Sequence, residues 1–156
     1  MSYQNYVNAL EKVQKCEYYT TMSGISDLMI KKAEEMLELE FSRQLTDFYK
    51  RYNYMSFAGN EIFGIDPDDD SGILEGNSVL YALNDRNEYG LPAKWVPIYT
   101  YGDGTMAYLD YSYINEAGEP SVVRAFYDGS KYVVEEVIAE DFGEFLLELV
   151  DNCEIV

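Results

Sequence analysis

The sequence predicts an α+β fold in which N-terminal helices and a C-terminal helix pack on a mainly antiparallel β-sheet. Three observations predict it. Apolar residues recur at helical spacing through the first third of the chain; four short β-rich runs separated by turn residues follow from residue 95; and Phe142, Phe145, Leu146, Leu149 and Val150 return to helical spacing near the end. Helices, then strands, then a helix, without strand–helix alternation, is the order of an α+β protein.

Each element has its own signal. Tyr3, Tyr6, Val7, Leu10 and Val13 share a helical face, so a helix is expected over roughly 3–16. After Gly24, Ser26 is placed to cap a second helix, with Met29, Ala33, Met36 and Leu37 on one side, reaching Leu39. Ser42 is placed to cap a third, carrying Leu45, Phe48, Tyr49 and Tyr52 and stopped by Asn53. Glu61 to Ile65 reads as a short strand, and Ser78 to Glu88 as a helix ended by Gly90-Leu91-Pro92. The β-rich runs are 95–100, 105–111, 121–127 and 131–138, and Asp128-Gly129 between the last two is the residue pair of a type I′ hairpin. No repeat, Pro/Gly/Ser-rich linker or low-complexity tract interrupts the chain, so residues 1–156 are expected to make one domain.

The 156 residues include 29 acidic and 11 basic side chains, a net charge of −18, with 47% hydrophobic and 15% aromatic residues. That apolar share lies far above the composition of disordered polyanions, and the length suffices for a core without disulfides or metal. Charge is unevenly divided. Residues 1–53 hold 7 basic and 8 acidic side chains, whereas residues 54–156 hold 4 and 21, so the negative charge belongs to the sheet region. Such a surface repels nucleic-acid phosphate and anionic lipid and attracts basic protein, so neither direct nucleic-acid binding nor membrane binding is expected. The opening residues lack a basic segment followed by an apolar one, and no run approaches the ~18 apolar residues of a membrane span. Cys16 and Cys153 fit reduced thiols better than an extracellular disulfide framework, and a cytoplasmic location is expected.

Zero histidines exclude Ser-His and Cys-His nucleophile systems and His zinc sites. Asp66, Asp68 and Asp70 imitate the start of an EF-hand, but Ser71 and Asn77 stand where the loop needs Gly and Glu. A solvated loop is the better reading, and its carboxylates can meet Lys or Arg of a partner. Gly102-Asp103-Gly104-Thr105-Met106-Ala107 satisfies a loose dinucleotide fingerprint, yet a strand follows it and Asp103 repels phosphate. No motif calls for a cofactor or a metal. Paired carboxylates could hydrolyse glycosides, but among 29 acids pairs are unavoidable, and such an enzyme needs a cleft with one acid of raised pKa. Tyr99, Tyr101, Tyr108, Tyr111, Tyr113, Tyr127 and Tyr132 fall on or near the strands; because strand side chains alternate, some face outward, where Tyr beside carboxylates suits an Arg-rich partner.

An ordered series of short motifs carries a family resemblance. Gly24-Ile25-Ser26, Ala33-Glu34-Glu35-Met36-Leu37, Phe48-Tyr49-Lys50-Arg51-Tyr52-Asn53, Glu61-Ile62-Phe63-Gly64, Val96-Pro97-Ile98, Gly102-Asp103-Gly104, Leu109-Asp110 and Phe142-Gly143-Glu144-Phe145-Leu146 follow the order of the SUKH superfamily. These are bacterial immunity proteins related to the fungal Smi/Knr-type cell-wall regulator, and the resemblance spans about residues 20–150. Phe41-Ser42 replaces the family's Leu-Pro before the third helix, and Tyr54 its usual Gly after the Asn. The resemblance implies helices on an antiparallel sheet, no catalysis, and direct binding of a cognate toxin, many such toxins being nucleases. An acidic domain can occupy the basic substrate groove of a nuclease. The alternative it implies is a non-catalytic regulatory scaffold. Charge and strand position select Glu61, Asp66, Asp68, Asp69, Asp70, Tyr99, Tyr101, Asp103, Tyr108 and Asp110 as candidate contacts for a toxin with a basic surface. Gly24, Ala33, Glu34, Asn53, Gly64 and Gly104 match the family pattern and read as turn, cap and packing residues.

Overall fold

The computed structural model, which describes residues 2–153, contains the predicted helices and the predicted C-terminal run of strands and last helix, with short strands added between the first and second helices and after the third. The elements are α1 (Ser2–Val13), β1 (Thr20–Thr21), α2 (Asp27–Leu37), α3 (Arg43–Arg51), β2 (Met55–Phe57), β3 (Asn60–Ile62), α4 (Ser78–Tyr89), β4 (Trp95–Thr100), β5 (Met106–Ile114), β6 (Pro120–Tyr127), β7 (Tyr132–Ala139) and α5 (Phe142–Asp151). The fold is α+β, with two antiparallel sheets, β1-β2-β3 and β4-β5-β6-β7.

The helix ends follow from local chemistry. Ser26 caps α2 by accepting the Met29 N–H at 3.2 Å. The helix closes at Leu37 rather than Leu39 because Glu38 turns left-handed, φ 57°, and its N–H returns to the carbonyls of Glu34 and Glu35. Ser42 occupies the cap position of α3, but its hydroxyl lies 3.3 Å from the Tyr111 hydroxyl and caps nothing. The free amide of Gln44 in the first turn donates instead to Glu119 Oε2 at 3.3 Å, so a carboxylate distant in sequence does the capping. Asn53 stops α3 with a left-handed backbone, φ 59°. Asn77 caps α4, Gly90 ends it at φ 70°, and Asp141 caps α5 by accepting the Glu144 N–H at 2.8 Å. Helix α1 ends at Val13, three residues short of expectation, in a turn where the Cys16 N–H bonds the Val13 carbonyl.

The small sheet departs most from expectation. Strands β1 and β2 are two and three residues long and were not anticipated, and β3 ends at Ile62, with Phe63 donating instead to the Ile98 carbonyl at 3.0 Å. The β2–β3 turn is Ala58-Gly59, both at positive φ. The large sheet is the expected meander, although β5 continues to Ile114, three residues beyond its predicted end. The type I′ turn at Asp128-Gly129 is corrected to a four-residue connection, 128–131. Asp128 does not take positive φ there; its carboxylate accepts the Ser130 and Lys131 amides at 2.8 and 2.9 Å.

The core joins all these elements. Phe48 of α3 meets Phe142 of α5 with ring centroids 5.3 Å apart, and Tyr6 of α1 meets Phe142 at 6.1 Å. Gly143 lets α1 approach α5, since a Cβ there would sit 2.7 Å from the Tyr6 backbone nitrogen. Buried Gln44 ties three elements: its Oε1 accepts the Gly143 N–H at 2.7 Å, its Nε2 donates to Asp141 at 3.4 Å, and its backbone N–H serves Glu119 as above.

Candidate functional site

The ten candidate contacts fall into three groups. Glu61 and the 66–70 loop form the first. Glu61 accepts the Tyr54 hydroxyl at 2.6 Å; burial and this carboxylate push that phenol up to about 12. The loop begins where the Asn53 carboxamide grips Ile65, accepting its N–H at 2.9 Å and donating to its carbonyl at 3.0 Å. It then folds on its own carboxylates. Asp66 accepts the Asp68 N–H at 3.2 Å, Asp69 accepts the Ser71 N–H at 2.9 Å, and Lys32 of α2 pairs with Asp68. The bonds from Ser71 hold Asp69 below the usual carboxylate range. Asp66, Asp68, Asp69 and Asp70 thus lie in one loop, with Asp66, Asp68 and Asp70 exposed, whereas the Glu61 carboxylate faces Tyr54.

Tyr99, Tyr101 and Asp103 form the second group, at the β4–β5 turn. The Tyr99 hydroxyl donates to Asn60 at 2.7 Å, and its ring meets Tyr101 edge-on at 4.9 Å and Phe145 at 5.7 Å. Arg124 lies over the Tyr101 ring at 3.9 Å and reaches Asp103 at 2.8 Å and Glu135 at 3.1 Å. Both tyrosines are half-buried, and burial pushes Tyr101 up to about 12. The Thr105 amide and hydroxyl, with Arg124 beyond them, hold Asp103 below its usual range. Asn60 and Glu61 are adjacent in β3, so they point to opposite faces and carry the two groups on opposite sides of that strand.

Tyr108 and Asp110 form the third group and are corrected to interior residues, 2% and 4% exposed. Strand β5 is paired on both edges. Tyr108 packs on Trp95 at 5.1 Å and Tyr132 at 6.2 Å, and Asp110 accepts the Ser112 N–H at 2.9 Å. Neither side chain presents a surface to a partner. Tyr113, by contrast, is 70% exposed, on the stretch of β5 beyond its predicted end. The sequence names Tyr113 among the tyrosines near the strands, but spacing ends that run at residue 111, so alternation assigns Tyr113 no face.

The family-pattern residues act in packing and turns. A Cβ on Gly24 would overlap the Lys50 carbonyl, and one on Gly64 would come within 2.6 Å of the Asn53 carbonyl. Glu34 accepts the Phe41 N–H at 2.7 Å, Ala33 is buried, and Gly104 turns at φ 94°. Glu119 and Asp141 are buried, and Gln44 donates to both, through its backbone N–H and its carboxamide. Among the described residues no group of three His, Cys, Asp or Glu side chains is arranged to hold a metal, and no helix is long and apolar enough to cross a membrane.

Residues 27–146 match the model of a SUKH family described as SMI1-KNR4 cell-wall. No curated protein matches the sequence.

Proposed function

The chain belongs to the SUKH superfamily, and from that membership we propose that it is an immunity protein: it binds a cognate bacterial toxin, most readily a nuclease, one to one, and blocks it through the acidic surface of residues 54–156. The observation that supports this reading is uncompensated charge. Of the six ion pairs among the described residues, four use a Lys or Arg from the first 53 residues and Arg124 supplies the other two. Among the described residues, most carboxylates beyond residue 53 therefore enter no ion pair. A surface of that kind steers a basic protein to it and competes with phosphate for a nucleic-acid groove. Inhibition by occupancy needs no catalytic group, and the cytoplasm is where such a toxin would have to be met.

The test is co-expression with the toxic domain encoded by the neighbouring gene. The expected result is survival, and a one-to-one complex that weakens as salt rises; death with no complex overturns the pairing. The description of the matched family as cell-wall favours a second reading, a regulatory scaffold that recruits an endogenous protein. That reading expects a growth or cell-wall defect on deletion in a strain without any toxin.

A further inference from the structure

Where the β5–β6 hairpin meets the β7–α5 junction, an open groove of about 1000 Å³ lies between them. Its walls combine two chemistries. Tyr113, Ile114 and Val137 are 70%, 49% and 64% exposed, a cluster of large apolar side chains in contact with water. Around them stand Glu116, Glu140 and Glu144, none of which enters an ion pair among the described residues, and no Lys or Arg lines the groove.

We propose that this groove is the surface through which the protein holds its partner, and that its occupant is a segment presenting an apolar side chain flanked by Lys or Arg. The identification of that partner as a toxin rests on the immunity reading; the chemistry of the occupant does not. Charge complementarity selects it. The apolar floor supplies the area that binds, and the glutamates exclude a like-charged or purely apolar guest. A second copy of this chain is disfavoured, because it would press two sets of glutamates together in molecules already at −18. Burial, then Glu148, Glu140 and Asp141, push the Glu144 carboxyl up, so anionic crowding already exists there and a cation would relieve it.

The test needs no toxin. The isotope-labelled full chain is titrated with an acetylated Arg-Leu-Arg-Leu-Arg peptide, with Glu-Leu-Glu-Leu-Glu as control, and amide chemical shifts are followed. The expected result is saturable shifts confined to residues 113–117 and 137–144. Glu116→Lys with Glu140→Lys, both at exposed positions, weakens the Arg peptide by about tenfold or more, and Tyr113→Ala by about threefold. Asp69→Lys with Asp70→Lys changes net charge equally and leaves affinity within about twofold. Shifts as large in the 66–70 loop as in the groove, or a Glu116→Lys/Glu140→Lys protein that binds like the parent, overturn the proposal. The two readings fail separately. A toxin complex unaffected by the groove variants discards the groove and leaves immunity standing, whereas a groove that takes the peptide in a protein giving no protection discards immunity alone.

Discussion

The 66–70 loop and the 113–144 groove are both acidic, yet their carboxylates are spent differently. In the loop, Asp66 and Asp69 accept amides of their own turn and Asp68 pairs with Lys32, so much of the charge is used in holding the loop's shape. In the groove, Glu116, Glu140 and Glu144 surround exposed Tyr113, Ile114 and Val137 and enter no ion pair among the described residues. The lesson is that density of acids along a sequence locates negative field, whereas a docking surface also requires carboxylates without partners and apolar area to bury.

The largest expected effect is on the groove's foundation. Gly143→Ala drives a Cβ into the Tyr6 backbone and disturbs the amide that donates to Gln44, forcing α1 away from α5. A loss of about 3 kcal/mol in urea unfolding is expected, with the 66–70 loop amides unchanged in hydrogen exchange. If the loop loosens equally, the two regions are one cooperative unit and the comparison fails.

Asn53→Ala is the matching change beneath the loop. It removes both bonds to Ile65 and places Ala in a left-handed backbone, for an expected cost of about 2 kcal/mol. The Ile65 amide should exchange faster while peptide binding in the groove stays as it was. A groove that weakens with it would tie the two surfaces together.

How far the sequence reached differs between these regions in the same way. Helices α1, α2, α3 and α5 were legible from apolar spacing, α4 from its Gly90 stop, and the meander from its turns, because each signal is local. Strands β1 and β2 were not, since two or three residues such as Thr20-Thr21 acquire strand geometry only through pairing with distant partners. Alternation shows that Tyr108 and Asp110 share a face, not that this face is the one the rest of the fold covers. The loop was legible because its residues are contiguous. The groove was not, because Glu116 and Glu140 become neighbours only when the β5–β6 hairpin is laid beside the start of α5.

Two sets of carboxyls, one including Glu144 of the groove and one including Asp69 of the loop, should answer pH with opposite sign. Burial pushes Glu119 and Glu144 up, so the folded protein keeps protons that the unfolded chain releases; their contribution is fullest at low pH and is lost as pH rises through the raised values. Asp69 and Asp103 are held low by hydrogen bonds, so their contribution is present above the ordinary carboxylate range and is lost as pH falls through the lowered values. Tm is expected to rise as pH falls from 7 towards the ordinary carboxylate range, and Glu119→Gln to reduce that rise by on the order of 2 °C. An unchanged slope in the variant would place the effect in the overall −18 charge rather than in the buried carboxyl.

The smallest expected loss of unfolding free energy is the most informative about mechanism. Asp69→Lys with Asp70→Lys removes one turn bond, from the Ser71 amide, on a largely exposed loop and should lower the unfolding free energy by about 1 kcal/mol. If the loop contributes field and the groove contributes grip, these substitutions slow association with a basic toxin at low salt, lose that effect at high salt, and leave dissociation untouched. Groove substitutions at Tyr113 and Glu140 should do the reverse, raising the dissociation rate at every salt concentration, because they remove contacts made only in the complex. Stopped-flow association and chase experiments on the toxin complex separate the two. A loop variant that speeds dissociation would show that the loop itself touches the partner, and the division between steering and docking would then be wrong.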